Sequence, residues 1–85
     1  MNEQPNTLKF DRLPLTIRNE LQKEIIKRMI KEKIVSSPME WMDDYRSDVS
    51  DIIDDTNNAE IQSLAKSGEY ERATELVLEK LMVTA

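Results

Sequence analysis

The longest regular pattern of apolar residues lies between Pro14 and Val35, a segment that contains no internal proline or glycine. Its first row of apolar residues recurs every four positions: Ile17, Leu21, Ile25 and Met29. A four-residue spacing places side chains on one face of an α-helix. We therefore expect a helix over about 16–35, with the Thr16 hydroxyl as its N-terminal cap.

A second apolar row lies on the same predicted helix and consists of Ile26, Ile30 and Ile34. It is rotated from the first row by about 100°, the angle between successive residues of a helix. A single partner helix would bury only one of the two rows. Either this helix lies in the centre of the fold or the second row contacts another chain, and we expect self-association through Ile26, Ile30 and Ile34.

Two local signals predict where the later helices begin and end. Ser37 is followed by Pro38 and Glu40, which combines a capping box with proline at the first helical position. Gly68, the one glycine of the chain, lies where a helix C-terminus favours a left-handed residue. Together with the apolar spacing around them, these signals predict helices over about 38–54, 59–67 and 70–83.

The segment 1–13 has no helical pattern. Pro5 removes a backbone donor, and Leu13 precedes Pro14, which disfavours helical backbone angles. We expect a flexible arm over 1–13, and leave open whether Leu8 and Phe10 dock on the helices. The chain is thus predicted to be an all-α bundle of three to four helices, with a single helical domain over 14–85.

Composition agrees with one compact domain. The chain has 85 residues, of which 39% are hydrophobic and 34% charged, so it is too apolar for a disordered tail and too short for two cores. No run approaches the length of about 18 apolar residues that a membrane span needs. The polar N-terminal segment also lacks the apolar core of a secretory signal. We therefore expect a cytoplasmic protein without membrane insertion.

The chain contains no cysteine and no histidine. It therefore lacks thiolate nucleophiles, the usual histidine bases, and the side chains that hold most zinc, iron–sulfur and di-metal sites. An EF-hand is not predicted either, because no acidic stretch has the required ligand spacing around a central glycine. We expect no enzyme activity, no cofactor and no dedicated metal site.

Charge is unevenly distributed between the first two predicted helices. Residues 14–35 include six basic and three acidic residues, a net charge of +3, whereas residues 36–55 include one basic and seven acidic residues, a net charge of −6. Four of these acidic residues recur at spacings of four, three and four: Asp44, Asp48, Asp51 and Asp55. This spacing predicts one helical face on which like charges repel. The face is either a solvated edge that complements the basic helix or a surface for a basic partner.

Trp41 and Tyr45 are one helical turn apart beside this acidic face. Aromatic residues at helical spacing usually belong to the core, but tryptophan and tyrosine are also enriched in interface hot spots. With Trp41 as the apolar anchor, we predict a partner-binding surface made of Trp41, Asp44, Tyr45, Asp48, Asp51 and Asp55. The alternative is that the aromatic residues are core and the acidic residues are a solvated face.

These properties are typical of a small acidic helical module that binds a protein partner with a basic surface. A compact intracellular regulator or inhibitor of phage or bacterial origin, acting by stoichiometric binding, fits them best. The alternative is a function related to nucleic acid. In that case the first helix binds nucleic acid through Lys23, Lys27 and Lys31, or the acidic helix mimics a nucleic-acid backbone. The net charge of −5 opposes direct binding.

Overall fold

The computed structural model describes residues 10–84. This part of the chain contains no strand and five α-helices, which are α1 (Leu15–Lys31), α2 (Pro38–Asp44), α3 (Arg46–Asp54), α4 (Ala59–Lys66) and α5 (Tyr70–Thr84). Short 3₁₀ turns over Phe10–Arg12 and Thr56–Asn58 precede α1 and α4. The predicted all-α class is confirmed, whereas the predicted number of three to four helices is too low.

The additional helix arises because the second predicted helix is interrupted at Tyr45. The backbone angles of Tyr45 are φ −122° and ψ −18°, outside the α-helical region. Hydrogen bonds nevertheless continue across it, from the Tyr45 N–H to the Trp41 carbonyl at 2.8 Å and from the Val49 N–H to the Tyr45 carbonyl at 2.9 Å. The interruption is therefore a single distorted residue, and it places Asp44 and Asp48 on different helices.

α1 ends at Lys31, four residues earlier than predicted, in a Schellman motif. The Ile34 N–H donates to the Met29 carbonyl at 2.9 Å, and the Lys33 N–H donates to the Ile30 carbonyl at 3.0 Å. Lys33 has φ 63°, a left-handed conformation that is costly for a residue with a Cβ atom. The motif turns the chain away from the helix, so Ile34 does not continue the face of α1.

The predicted helix starts have different outcomes. α1 begins after Pro14 without a side-chain cap, so the expected Thr16 cap is wrong. The Ser37 cap is confirmed, because its hydroxyl accepts a hydrogen bond from the Glu40 N–H at 3.2 Å. The Glu40 carboxylate accepts in turn from the Ser36 N–H at 2.8 Å, one residue before the position of an ordinary capping box.

Gly68 ends α4 in a second Schellman motif. It has φ 83°, its N–H donates to the Ala65 carbonyl at 3.0 Å, and the Glu69 N–H donates to the Leu64 carbonyl at 2.9 Å. These bonds satisfy carbonyls that the end of the helix leaves unpaired. The predicted role of Gly68 is confirmed, and the turn leads directly into α5.

The core forms where α5 packs against α1, α3 and α4. Its buried apolar residues are Phe10, Leu13, Leu21, Ile25, Met29, Val35, Trp41, Val49, Ile53, Ile61, Ala65, Ala73, Val77, Leu78 and Leu81. Within the first apolar row, Leu21, Ile25 and Met29 are buried and Ile17 is half-buried, so this row faces the core as expected. Across residues 10–84, no helix is long and apolar enough to cross a membrane.

The segment before α1 is packed on the bundle from Phe10 onward. The Phe10 side chain is only 1% exposed, and its backbone N–H donates to the Asp54 carboxylate at 2.5 Å. The Arg46 guanidinium carbon lies 5.9 Å from the centre of the Phe10 ring, within cation–π range. The flexible arm predicted over 1–13 is therefore wrong for residues 10–13, because Phe10 and Leu13 are core residues. The rest of the predicted arm, residues 1–9 with Leu8, lies outside the described residues.

Candidate partner-binding surface

A cleft lies where α3, the C-terminal end of α5 and the turn after α1 meet. Its volume is about 570 Å³, and it is lined by Ile34, Tyr45, Asp48, Asp51, Ile52, Leu81 and Met82. Five of these side chains are aliphatic or aromatic, and Met82 is 47% exposed. Asp48 and Asp51 are exposed and form the acidic rim. We call this set of seven residues the acidic cleft.

Asp48 and Asp51 are the two acidic residues of the cleft, and both are exposed to solvent. They are one helical turn from each other on α3. Among the described residues, neither aspartate forms an ion pair. α1 and α3 do not pack against each other in the described part of the chain. Two basic residues of α1 pair elsewhere, Lys27 with Glu24 at 3.9 Å and Arg28 with Glu32 at 3.2 Å. The interpretation of the acidic face as one edge of an α1–α3 salt-bridge pattern therefore receives no support from the described ion pairs.

The other two predicted aspartates have different surroundings. Asp44 is the last residue of α2 and is exposed. Asp55 caps the 3₁₀ turn before α4, since its carboxylate accepts a hydrogen bond from the Asn57 N–H at 2.9 Å. The four-residue acidic stripe is thus divided among two helices and a cap, and the structure brings only Asp48 and Asp51 to the cleft.

Trp41 requires a correction. Its side chain is 0% exposed and lies in the core, so it does not reach a partner surface as the expected anchor would. The indole Nε1 is buried without a hydrogen-bond partner among the described residues. Tyr45, by contrast, is half-buried and lines the acidic cleft. The aromatic residue at the surface is therefore Tyr45, and it belongs to a concave site.

The residues predicted for self-association occupy two separate places. Ile26 and Ile30 are half-buried and line a shallow cleft of about 790 Å³ on α1, together with Lys23, Lys27 and neighbouring residues. Ile34 is also half-buried but lines the acidic cleft. The predicted row is divided because α1 ends before Ile34 and the Schellman motif redirects the chain.

A third cleft, of about 620 Å³, lies between α1, α4 and α5. Its walls carry both signs of charge, and its Arg28 guanidinium already pairs with Glu32 at 3.2 Å and with Glu75 at 3.9 Å. These charges are largely satisfied within the chain. The third cleft therefore indicates no charge preference for a ligand.

Sequence reasoning did not assign four residues to this cleft: Ile34, Ile52, Leu81 and Met82. No sequence signal joins the end of α5 to α3 and to the turn after α1. Metal chemistry is not indicated either, since residues 10–84 contain no group of three or more acidic side chains able to hold a metal ion.

No family model, curated protein or solved structure matches this chain.

Proposed function

We propose that this chain is a protein-binding module that acts as a regulator or inhibitor by stoichiometric binding, and that the acidic cleft binds a basic amphipathic segment of the partner. The observation that carries the proposal is the position of Asp48 and Asp51, which form no ion pair with another described residue, on the rim of a largely apolar cleft. Leu81 of the cleft belongs to the core, whereas Met82 is 47% exposed, so part of the apolar surface remains in contact with solvent.

The apolar part of the cleft supplies the expected affinity. Ile52 is half-buried and Met82 is exposed to solvent, so a partner side chain that covers them removes apolar surface from water. Burial of apolar surface favours binding by about 25 cal/mol of free energy per Å² removed from water. A methionine at the edge also adapts its shape to different side chains because its chain is flexible and unbranched.

The acidic rim supplies specificity and speed of association. Exposed ion pairs contribute only about 0 to 1 kcal/mol each. Two carboxylates on one helix face nevertheless attract a basic segment over a distance and disfavour an acidic one. Because Asp48 and Asp51 repel each other in the unbound chain, a bound lysine or arginine also relieves that repulsion.

The shape of the site favours a helical partner segment. The cleft is formed by helices α3 and α5, and a helix that docks in such a groove presents apolar side chains at three- and four-residue spacing. Lysine or arginine beside that apolar stripe would then lie opposite Asp48 and Asp51. The partner class is therefore a basic amphipathic helix of another protein.

The test uses a synthetic amphipathic peptide of about five helical turns, with a leucine stripe and lysines one turn apart beside it. Stopped-flow fluorescence of the labelled peptide measures both rate constants at several salt concentrations. Asp48→Asn with Asp51→Asn should slow association by roughly fivefold at low salt and flatten the salt dependence. Met82→Ser should mainly speed dissociation, because it removes apolar contact.

The matched control is Glu60→Gln with Glu71→Gln, which removes the same amount of charge from exposed positions at the starts of α4 and α5. This variant should bind the peptide like the wild type. Equal binding by the Asn variant, or by a peptide of the same composition with a scrambled order, would contradict the proposal.

A separate measurement tests the alternative of direct nucleic-acid binding. Lys23, Lys27 and Lys31 are exposed on α1, so a labelled DNA duplex is the appropriate probe for direct binding. We expect no change in its fluorescence anisotropy at about 0.1 M salt, because the net charge of the chain repels phosphate. Duplex binding that disappears in Lys27→Glu would favour the alternative function.

A further inference from the structure

The face of α1 around Ile26 and Ile30 is a second incomplete surface. Both isoleucines are half-buried, and Lys23 and Lys27 beside them are exposed. The Met42 sulfur lies 4.0 Å from Gln22 Nε2, so α2 borders this face, and Met42 is itself 45% exposed. We call Lys23, Ile26, Lys27 and Ile30 the basic α1 face. The exposed Glu20 lines the same cleft, so two lysines and one carboxylate surround the isoleucines and the net charge there is positive. An apolar row with a net positive border is the chemistry expected of a segment that binds the acidic cleft.

The charges of the two surfaces match in spacing as well as in sign. Lys23 and Lys27 are about 6 Å apart along the helix axis, and Asp48 and Asp51 are about 4.5 Å apart. Two ion pairs can therefore form at once when the helices lie side by side. Ile26 and Ile30 would then contact the apolar part of the cleft.

Existing interactions do not prevent this contact. The pair between Lys27 and Glu24 is long, at 3.9 Å, and the Lys27 side chain is 74% exposed, so this pair adds little to stability. The net charge of −5 opposes the approach of two copies. At about 0.1 M salt the Debye length is only about 10 Å, so repulsion between distant charges is weak while direct contacts persist.

We propose that the basic α1 face of one copy docks in the acidic cleft of a second copy. The proposal rests on the proposed function, since it assigns a basic helix as occupant of the same cleft. The contact joins two different surfaces, so it is head-to-tail and leaves a cleft open at one end and an α1 face at the other. Self-association in this manner competes with binding of a different partner at the cleft.

The test uses two charge reversals in the full chain, Lys27→Glu and Asp51→Lys, both at exposed positions. Sedimentation velocity over a range of concentrations at about 0.1 M salt measures the mass of the assemblies. The wild type should grow beyond a dimer as concentration rises. Each variant by itself should remain a monomer with an unchanged helical spectrum, since each loses one of the two surfaces and should associate at least about tenfold more weakly.

The mixture of the two variants is the decisive sample. The Lys27→Glu chain keeps its acidic cleft, and the Asp51→Lys chain keeps its basic α1 face, so an equimolar mixture should associate although neither variant does so by itself. A symmetric contact between two α1 faces would instead be disrupted by Lys27→Glu and left intact by Asp51→Lys. Three results would overturn the proposal. They are this symmetric pattern of disruption, a mixture that remains monomeric, and a wild type that is monomeric at all concentrations.

Binding of the synthetic peptide to the acidic cleft is measured separately. The Lys27→Glu chain keeps the acidic cleft and should bind the peptide at least as tightly as the wild type, since no second copy competes for the cleft. If it does so while the mixed variants fail to pair, only the head-to-tail contact is wrong. If neither the wild type nor Lys27→Glu binds the peptide, the proposed function fails as well.

Discussion

Replacement of Lys33 by glycine should stabilise the fold, because Lys33 has a positive φ of 63° in the Schellman motif at the end of α1. A residue with a Cβ atom loses about 1 to 2 kcal/mol in the left-handed region. Glycine avoids this cost but gains freedom in the unfolded chain, which offsets about 0.4 to 1 kcal/mol. The Lys33 side chain is exposed and forms no ion pair with another described residue, so little else is lost.

The expected net gain for Lys33→Gly is therefore about 0.5 to 1 kcal/mol in the free energy of unfolding. Urea denaturation followed by circular dichroism measures this quantity, and the m-value should stay constant if only stability changes. In a thermal scan the same gain corresponds to a rise in Tm of roughly 2 to 8 °C for a chain of this size.

Two further variants control this experiment. Lys23→Gly also removes an exposed lysine, but from the interior of α1, so it should destabilise the chain by about 0.5 to 1 kcal/mol. Gly68→Ala makes the reverse change in the second Schellman motif. An added Cβ at Gly68 meets no atom within 4 Å, so the expected loss of about 0.5 to 1 kcal/mol comes from the backbone conformation. If Lys33→Gly lowered stability as Lys23→Gly does, the left-handed assignment of Lys33 would be incorrect.

Two other predictions concern the core and are tested by the same denaturation measurements. Phe10→Ala should cost about 3 to 5 kcal/mol, because the ring is buried against the bundle, and a loss below about 1 kcal/mol would mean that the segment is not docked. Thr74→Val should raise the free energy of unfolding by about 1 kcal/mol, because the Thr74 hydroxyl is buried without a hydrogen-bond partner in the described part of the chain. Thr56→Val, at an exposed position, is its control and should give no such gain.

Local signals predicted the boundaries that depend on neighbouring residues. Ser37 and Glu40 are three residues apart, and their hydrogen bonds form within one turn of helix, so the start of α2 could be predicted. Gly68 likewise acts through bonds within the turn that contains it. The end of α1 uses the same turn with Lys33, a residue that carries no such signal. Its left-handed conformation could not be predicted from residue type.

Long-range contacts account for the corrections to the fold. Phe10 is held through its N–H by Asp54, a residue 44 positions later, and no local pattern shows such a contact. The interruption at Tyr45 contains neither proline nor glycine, so propensity favoured one continuous helix there. Trp41 was predicted as the anchor of a partner-binding surface, with a core position as the alternative, and packing in the bundle places it in the core.

The sequence by itself determined the all-α class, the inward row of α1 and the acidic character of the segment around α3, because periodicity and charge are properties of nearby residues. The tertiary structure decided which of the acidic residues share a site. It brought Asp48 and Asp51 beside Leu81 and Met82, about thirty positions later, and moved Ile34 from the α1 row to the same cleft. A cleft between helices depends on how their ends pack together, and the order of residues within each helix does not specify that packing.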